Sequence, residues 1–278
     1  MIGQIDRVAE IEFLKNKNVN NLADNIVSIL SGKGGTGKTF LAANSAYLFS
    51  KNYGKVLLVE LNHNLSNLSS FFNININNTI SSFLESKASF SEIITKVSPT
   101  LHIIFGDSGK LNKTELTEHD INRIFQNLAT LSKSYDLILL DTGSGANRTT
   151  LYAASLSNSI ILVSTPEPTA IMDAYVISKL LYHNYDVKAI SVLFNNCLTE
   201  DEGITSYENL QNAVRHFLNI SVEHIASIPQ SGTVRSSVMN QQLFAKFNPD
   251  HEVTTILSAA LNKVINNLQL FNINHSQL

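Results

Sequence analysis

Short runs of apolar residues alternate along the chain with longer segments in which apolar residues recur every three or four positions. Buried strands of parallel sheets are near-continuous apolar runs, whereas one face of an amphipathic helix repeats about every 3.6 residues. The pattern therefore predicts strands that alternate with helices. The predicted strands are 26–30, 55–60, 101–105, 135–141, 159–164, 189–194 and 224–228.

Helices are predicted between several of these strands. One helix follows the first strand from Phe40 to Leu48, and Thr165–Thr169 opens another that runs through Leu180. Predicted helices also cover 80–83, 90–97, 121–131 and 251–271. Because strands and helices alternate at spacings of about 20–40 residues, we expect an α/β fold, with a single doubly wound, mainly parallel sheet and helices on both faces.

The pattern divides the chain into one large domain and two short ends. Residues 1–24 show a short helical spacing of apolar residues and then a polar linker, which predicts an N-terminal helix or tail. We expect the domain to span 25–271 and a C-terminal tail to span 272–278. The last predicted helix carries only Glu252 and Lys263 as charges. Membrane-surface helices favour Lys and Arg beside the apolar face, so core packing is favoured over the alternative of membrane docking.

Composition and charge limit the classes of function. Of 278 residues, 44% are hydrophobic and 15% are charged, which suits one large domain. The net charge of −3 offers no non-specific attraction for nucleic acid. A single cysteine, Cys197, excludes a disulfide framework within the chain. Residues 1–7 do not resemble a secretory signal, and no apolar run approaches the ~18–20 residues that span a bilayer, so we expect a cytoplasmic protein whose membrane contact, at the inner face, is at most peripheral.

The first strand leads into a glycine-rich turn, Gly32–Thr39, which matches G-x-x-x-x-G-K-[ST]. Glycines let several backbone N–H groups surround an anion, and the N-terminus of the following helix adds positive potential. The predicted phosphate cradle consists of Gly34, Gly35, Thr36, Gly37, Lys38 and Thr39. We expect Lys38 to reach the terminal phosphates and the Thr39 hydroxyl to ligate Mg²⁺, the alternative being a glycine-rich turn that binds nothing.

A second lysine, Lys33, lies near the start of this turn. Holding one nucleotide does not require it, and by itself it is typical of a solvated loop charge. The sequence Lys-Gly-Gly-Thr-Gly-Lys-Thr resembles the deviant Walker A loop of the ParA/MinD ATPases. The resemblance implies that Lys33 reaches across a dimer interface to the nucleotide of the partner copy, and therefore that ATP drives homodimer formation.

A hydrophobic strand that ends in Asp141 has the Walker B pattern. The carboxyl end of such a strand lies beside the phosphate loop, where Asp141 is expected to orient the water shell of Mg²⁺. Residues Thr142–Gly145 follow, and we predict a flexible turn there that senses the γ-phosphate. A strand ending in Asp is common, so the prediction depends on its combination with the glycine-rich turn.

Beyond the loop, the sequence resembles the FlhG/FleN (YlxH) branch of the MinD-like ATPases over about residues 25–270. The stretches that carry the likeness are Ser31–Thr39, Asp141–Gly145, Thr165–Ala170 with Asp173–Tyr175, and Ile228–Pro229 with Val234–Val238. The resemblance implies a P-loop fold, ATP and Mg²⁺ as cofactors, and a cytosolic, ATP-bound dimer that controls flagellar number and placement. It suggests three partners: an FlhF-like GTPase of the SRP type, a flagellar C-ring protein, or a flagellar transcription regulator.

The resemblance also places residues outside the loop. Asn195 falls where the family has an asparagine that reads the adenine edge, and Pro229 belongs to a matching stretch expected at the nucleotide. An amide donates and accepts at once, which suits adenine, although a strand-end asparagine in a turn is the alternative. The family's N-terminal motif for the GTPase, Asp-Gln-Ala followed by Leu-Arg, is poorly matched by Gly3–Ile5 and Val8–Ala9.

The segment Glu60–Asn64 departs most from the family, which has Asp-x-Asp-x-Gly there. Glu60 keeps a carboxylate that is one methylene longer. Asn62 replaces the aspartate that orients the attacking water, and it cannot take up a proton near neutral pH. Phosphoryl transfer depends mainly on positioning and charge stabilisation, and an amide can still orient water. We therefore expect Lys33, Lys38, Asn62 and Glu60 to support slow hydrolysis.

Competing functions differ in what they require of the chain. A hydrolysis-defective ATP-binding scaffold would fit Asn62 and Glu60. A ParA-type partition ATPase would need a basic surface for DNA, and the near-neutral last helix opposes that, so no direct nucleic-acid partner is expected. A redox relative resembling nitrogenase iron protein would need two cluster thiolates per subunit, which Cys197 alone cannot supply.

Overall fold

The computed structural model describes residues 24–61, 68–107 and 116–275. Within them, eight strands form one sheet. The strands are β1 (Ile26–Ser31), β2 (Val56–Glu60), β3 (Ile94–Lys96), β4 (Leu101–Ile104), β5 (Leu137–Ser144), β6 (Ser159–Ser164), β7 (Ile190–Cys197) and β8 (Val222–Pro229). Their spatial order is β3-β4-β2-β5-β1-β6-β7-β8.

Helices connect these strands and cover the sheet. They are α1 (Lys38–Asn52), α2 (Ser69–Phe72), α3 (Ile80–Leu84), α4 (Glu118–Leu131), α5 (Arg148–Ser155), α6 (Pro168–Tyr185), α7 (Glu200–Leu218), α8 (Gly232–Met239), α9 (Phe244–Phe247) and α10 (Glu252–His275). The helices pack on the sheet through three clusters of buried apolar residues. This arrangement confirms the expected doubly wound α/β fold.

Every strand pair in the sheet is parallel except β3 with β4. β1 lies between β5 and β6, so the carboxyl ends of these three strands emerge at one edge. Ligands of open α/β sheets bind at this edge, in the crevice where the strand order reverses. The topology therefore brings the ends of β1, β2, β5 and β6 together at the position where a site is expected.

The last helix, α10, packs on the sheet through its apolar face, as expected. The face is buried and comprises Val253, Leu257, Ala260, Leu261, Val264 and Leu268. One of its two charges, Lys263, donates to the backbone oxygen of Ile225 in β8 at 3.1 Å. In the ranges described above, no helix combines the length and the apolar character that crossing a membrane requires.

Two local predictions are wrong. Residues 90–97 are not helical: Ile94–Lys96 forms the short edge strand β3, antiparallel to β4. β-branched residues such as Ile94 and Thr95 favour a strand, and the apolar spacing alone did not distinguish the two structures. Residues Thr142–Ser144 are not a turn but continue β5, because the Thr142 hydroxyl donates to Ile29 O at 2.9 Å and joins β5 to β1. The turn begins at Gly145, with φ of +90°.

Other boundaries differ by smaller amounts. The predicted N-terminal helix or tail lies almost entirely outside the described residues, as do Asn62 and Asn64. Helix α10 continues to His275, four residues into the predicted C-terminal tail. Helices α2, α5, α7, α8 and α9 were not predicted from the apolar spacing.

Candidate functional site

The glycine-rich turn joins β1 to α1 at the carboxyl edge of the sheet. Gly37 caps α1 with φ of +88°, and Gly35 has φ of +82°, a region that side chains other than glycine rarely adopt. A Cβ at Gly37 would also collide with the Asn195 side chain. Glycine is therefore required there for both backbone conformation and space, and the loop can keep its N–H groups directed toward an anion.

Lys38 and Asp141 form a buried ion pair in this site. The Lys38 Nζ lies 2.5 Å from Asp141 Oδ1, and the two side chains are 5% and 0% exposed. Lys38 opens α1, and Asp141 stands in β5, next to β1 in the sheet. The sequence predicted both residues at the phosphate and metal, and the fold does bring them together.

Two buried oxygens of the site, Thr36 Oγ1 and Asp141 Oδ2, have no hydrogen-bond partner among the residues that the structure describes. Unpartnered polar atoms are costly in a protein interior, so such atoms at a site are suited to bind a polar ligand. A carboxylate oxygen and a hydroxyl beside a lysine and several loop N–H groups suit Mg²⁺ and phosphate oxygens. The donor set at this edge therefore fits a magnesium-bound nucleotide. Thr39, the other predicted metal ligand, is half-buried in the first turn of α1.

Glu60 lies next to Asp141 in the sheet, where the two residues are register partners in β2 and β5. Its side chain is 1% exposed. The two carboxylate oxygens accept the backbone N–H groups of Leu68 and Gly106, each at 3.2 Å. Glu60 therefore joins the segments that follow β2 and β4. Its predicted neighbour in catalysis, Asn62, lies outside the described residues.

Asn195 contacts the loop directly. Its Nδ2 donates to the backbone oxygen of Thr36 at 2.8 Å. This hydrogen bond fixes which end of the amide faces the loop, because Oδ1 in that position would face another acceptor. Pro229 ends β8 beside the end of β7, and the next residue, Gln230, donates its N–H to Cys197 O at 2.7 Å. The structure thus places Asn195 and Pro229 at the same edge as the loop.

Lys33 faces outward and forms an ion pair with Glu167 of the same chain. The side chains are 33% and 61% exposed, in contrast to the buried Lys38–Asp141 pair. Glu167 is the residue before α6, within the Thr165–Thr169 stretch. The neighbouring glycines of the loop, Gly34 and Gly35, are exposed, so this end of the site is open to solvent.

The role of Glu167 was not predicted from the sequence. The stretch around it was singled out only for its resemblance to a family, and no local pattern links it to Lys33, which lies 134 positions away. Asp173 of α6 was also missed, and it packs so closely on Gly32 that a Cβ there would collide with it. The buried Thr165 Oγ1, just after β6, also has no hydrogen-bond partner in the described part of the chain, and the sequence did not predict this polar group.

Cys197 does not contribute a reactive group. It is 1% exposed in β7. Burial, with the nearby negative charge of Glu202, raises the pKa of its thiol to about 11. The thiol therefore stays protonated near neutral pH. Among the residues that the structure describes, no group of three or more His, Cys, Asp and Glu side chains is arranged to hold a metal ion.

Comparison with known protein families and sequences gives consistent matches. A family model described as an AAA domain matches residues 24–191. The flagellum site-determining protein YlxH of Helicobacter pylori is 30% identical over 241 residues, which are 84% of this chain and 81% of that protein. The antiactivator FleN of Pseudomonas aeruginosa is 23% identical over 239 residues, 86% of this chain and 85% of its own length.

Solved structures share the fold. The MinC:MinD cell division protein complex of Aquifex aeolicus matches with a TM-score of 0.72 and 22% identity, over 87% of this chain and 96% of that chain. The septum site-determining protein MinD of Pyrococcus horikoshii OT3, complexed with Mg-ADP, matches with a TM-score of 0.71 and 24% identity, over 86% and 95%.

Proposed function

The chain belongs to the FlhG/FleN (YlxH) branch of the MinD/ParA-type ATPases, and from that premise we propose that it is an ATP-driven switch. In this proposal, Mg²⁺-bound ATP occupies the loop Gly32–Thr39 and joins two copies of the chain. Hydrolysis is slow and returns the protein to the monomer. The nucleotide state then decides which partner the protein engages.

One observation carries the proposal: the loop holds two lysines in opposite environments. Lys38 is buried and paired with Asp141, so the site already has the lysine that a phosphate requires. Lys33 is one-third exposed at the open end of the same loop. A cation that is superfluous within one copy and directed outward is suited to act on a nucleotide held by a second copy.

In this proposal, different residues of the chain bind the phosphates, the metal ion and the base. Loop N–H groups and Lys38 hold the phosphates, while Thr39 and Asp141 hold Mg²⁺, with the unpartnered Asp141 Oδ2 free to take part. The metal neutralises phosphate charge when it is bound. Asn195 binds the base edge and, through Thr36 O, keeps the loop in register with it. A solved structure of the same fold, MinD of Pyrococcus horikoshii OT3, is complexed with Mg-ADP, which supports a magnesium-bound nucleotide as the ligand.

The Lys33–Glu167 ion pair gives the switch an inactive position. While Glu167 holds Lys33, the lysine cannot contact a nucleotide in a partner copy. An exposed ion pair contributes only about 0–1 kcal/mol, so the phosphates of a second site can displace Glu167 at little cost. Dimerisation would therefore exchange an intramolecular pair for an intermolecular one.

Size-exclusion chromatography with light scattering tests the proposal on the native chain and on Lys33→Ala, each with and without Mg-ATP. We expect the native chain to become a dimer only with ATP. Lys33→Ala should bind ATP and stay monomeric, since its own phosphate site is intact. A native chain that stays monomeric while ATP is bound, or a Lys33→Ala variant that dimerises equally, would rule the switch out.

The proposed cellular role is control of flagellar number and placement. It is supported by two relatives that match most of the chain and are named as a flagellum site-determining protein and an antiactivator. Candidate partners are an FlhF-like GTPase, a flagellar C-ring protein or a flagellar transcription regulator. Co-purification of the tagged chain with each candidate, with ATP and with ADP, would distinguish them, and nucleotide-independent binding would argue against a switch.

A second function, an ATP-binding module that does not hydrolyse, is favoured by the segment after β2. Asn62 stands where the family has an aspartate, and both oxygens of Glu60 are already engaged by backbone N–H groups. Single-turnover measurement with excess protein separates the two functions. Release of phosphate by the dimer supports the switch, whereas bound ATP that stays intact supports the module.

A further inference from the structure

A groove runs along the second half of α1, away from the loop's open end. It has a volume of about 1240 Å³ and is bounded by α1, α2 and the residues after it, the β3–β4 turn, and the α8–α9 region. This volume exceeds the ~300–1,000 Å³ of ordinary small-molecule sites. The groove is therefore suited to a length of polymer rather than to a compact metabolite.

The charges at this groove are all of one sign. Lys51 and Lys246 line it, and no Asp or Glu does so among the described residues. Neither lysine has an ion-pair partner in the described ranges; their ammonium groups lie over the rings of Tyr47 and Phe247, at 5.9 and 5.5 Å from the centroids. The chain as a whole has a net charge of −3, so this carboxylate-free groove stands out from the average surface.

Aromatic and amide side chains accompany the two lysines. Phe247 is 58% exposed, and Phe71, which is partly buried, also lines the groove. The remaining lining is rich in side-chain amides, namely Asn73, Asn75, Asn240, Gln241 and Gln242. Amides both donate and accept, as a peptide backbone does, while an exposed phenylalanine provides apolar contact. This combination matches the chemistry of an extended peptide.

Charge distinguishes the possible polymers. Nucleic-acid and anionic-membrane surfaces typically use clusters of several Lys and Arg residues, because they neutralise several phosphates or headgroups. Two lysines in an otherwise neutral groove do not reach that number. They are sufficient to pair with one or two carboxylates, and charge complementarity of this kind selects partners and their register.

We propose that the groove between α1 and α9 binds an acidic, extended segment of a partner protein. Carboxylates of the segment pair with Lys51 and Lys246, and an apolar side chain packs on Phe247 and Phe71. This interaction goes beyond the nucleotide switch and does not require it. The groove is nevertheless joined to the nucleotide loop, because Phe40, which follows Thr39, contacts Phe71 and Phe244 with ring centroids 6.3 and 5.8 Å apart.

A phage-displayed library of random linear peptides, selected on the full chain, tests this proposal without assuming a partner. We expect recovered sequences to contain Asp or Glu together with an apolar residue. The strongest peptide is then synthesised with a fluorophore and titrated by anisotropy. Lys51→Glu combined with Lys246→Glu should weaken its binding about tenfold or more, because each substitution replaces an attraction for the carboxylates of the peptide with a repulsion.

Matched variants test whether peptide binding depends on the groove itself or on surface charge and exposed apolar side chains in general. Lys179→Glu reverses an exposed lysine on α6, and it should leave peptide affinity unchanged. Phe247→Ala should weaken binding, whereas Phe217→Ala, which removes a phenylalanine that is 69% exposed elsewhere, should not. Unchanged ATP binding by each variant shows that it is folded.

Several results would overturn the proposal. One is a selection without acidic enrichment, and another is a selected peptide that the double lysine variant binds as tightly as the native chain does. Binding of single-stranded oligonucleotides or phosphatidylglycerol vesicles that depends on Lys51 and Lys246, in the absence of peptide binding, would assign the groove to a different ligand. None of these outcomes involves Lys33 or dimerisation, so they do not depend on the proposed switch.

Discussion

The two lysines of the glycine-rich loop lie five positions apart and yet occupy opposite environments. Lys38 is 5% exposed and pairs with the fully buried carboxylate of Asp141 in the central strand β5. Lys33 is 33% exposed and pairs with a glutamate that is 61% exposed. Both pairs join distant parts of the chain, but water reaches only one of them.

The contrast explains how one loop can have a fixed part and an exchangeable part. A buried pair whose partner is removed leaves an uncompensated charge and costs several kcal/mol, so Lys38 and Asp141 stay together or share their charges with a ligand. A solvent-exposed pair is worth about 1 kcal/mol or less and is screened by salt. The first arrangement suits permanent binding machinery, and the second suits a contact that changes with the state of the protein.

The largest expected effect concerns the buried pair. Lys38→Met keeps most of the side-chain volume but leaves Asp141 charged and unpaired in the interior. We expect the free energy of unfolding to fall by about 3–5 kcal/mol. Urea denaturation of the nucleotide-free protein measures it. The matched variant Lys33→Met should lose about 1 kcal/mol or less, and equal losses in both variants would remove the distinction between the two lysines.

The next effect concerns the hydrolysis step. Asn62→Asp restores the carboxylate that the family has at this position, and we expect the single-turnover hydrolysis rate to rise. A positioned acid–base group is typically worth about 10²–10⁴-fold. Asn64→Asp adds the same charge two residues away and is the control. A rate that Asn62→Asp fails to raise, or that Asn64→Asp raises equally, contradicts the assignment.

A smaller effect is expected at the base. Asn195→Ala removes the hydrogen bond to Thr36 O, which joins the residue that we propose to read the base to the loop. One neutral hydrogen bond contributes about 0.5–1.5 kcal/mol, so the dissociation constant for ATP should rise roughly 2- to 10-fold. Equilibrium binding of a fluorescent ATP analogue measures this change. The exposed Asn209→Ala variant should be unaffected, and an unchanged Asn195→Ala affinity would remove the coupling.

The smallest change in stability belongs to the exposed pair. Glu167→Gln releases Lys33 while keeping the shape of the side chain, and the free energy of unfolding should change by about 1 kcal/mol or less. ATP-dependent dimers should then form at a lower protein concentration, because Lys33 no longer has to leave a partner. A light-scattering concentration series tests this, and dimers that need the same or a higher concentration would mean that Glu167 does not restrain the switch.

The fixed part of the site, the loop with Lys38 and Asp141, could be predicted from the sequence because local patterns specify it. A buried strand, glycines at positions that require positive φ, and a helix start together identify the loop and Lys38. Asp141 followed from the apolar run of residues 137–140 that precedes it. The exchangeable part, the Lys33–Glu167 pair, could not be predicted from a local pattern. Glu167 lies 134 positions from Lys33, and only the packing of α6 beside the loop brings the two together.

The same distinction applies to the prediction of the fold: elements with long local apolar patterns were predicted, and an element without such a pattern was missed. Strand β6 and the core-facing side of α10 were predicted with close boundaries, since long apolar patterns specify them. Helix α7 was missed because two of its buried positions are Gly203 and Ser206, which carry no apolar signal. The start of the helix did carry a different signal, a polar one. The Thr199 side chain accepts the N–H of Glu202, and three acidic residues follow in the first turn.

Calorimetric titration of Mg-ATP into the native chain, Lys33→Ala and Lys38→Met tests the central claim most directly. The claim is that one lysine holds the nucleotide of its own copy and the other serves a second copy. It predicts one ATP per chain for both the native protein and Lys33→Ala, and no measurable uptake by Lys38→Met. Absence of uptake by the native chain, or loss of binding in Lys33→Ala as complete as in Lys38→Met, would contradict it.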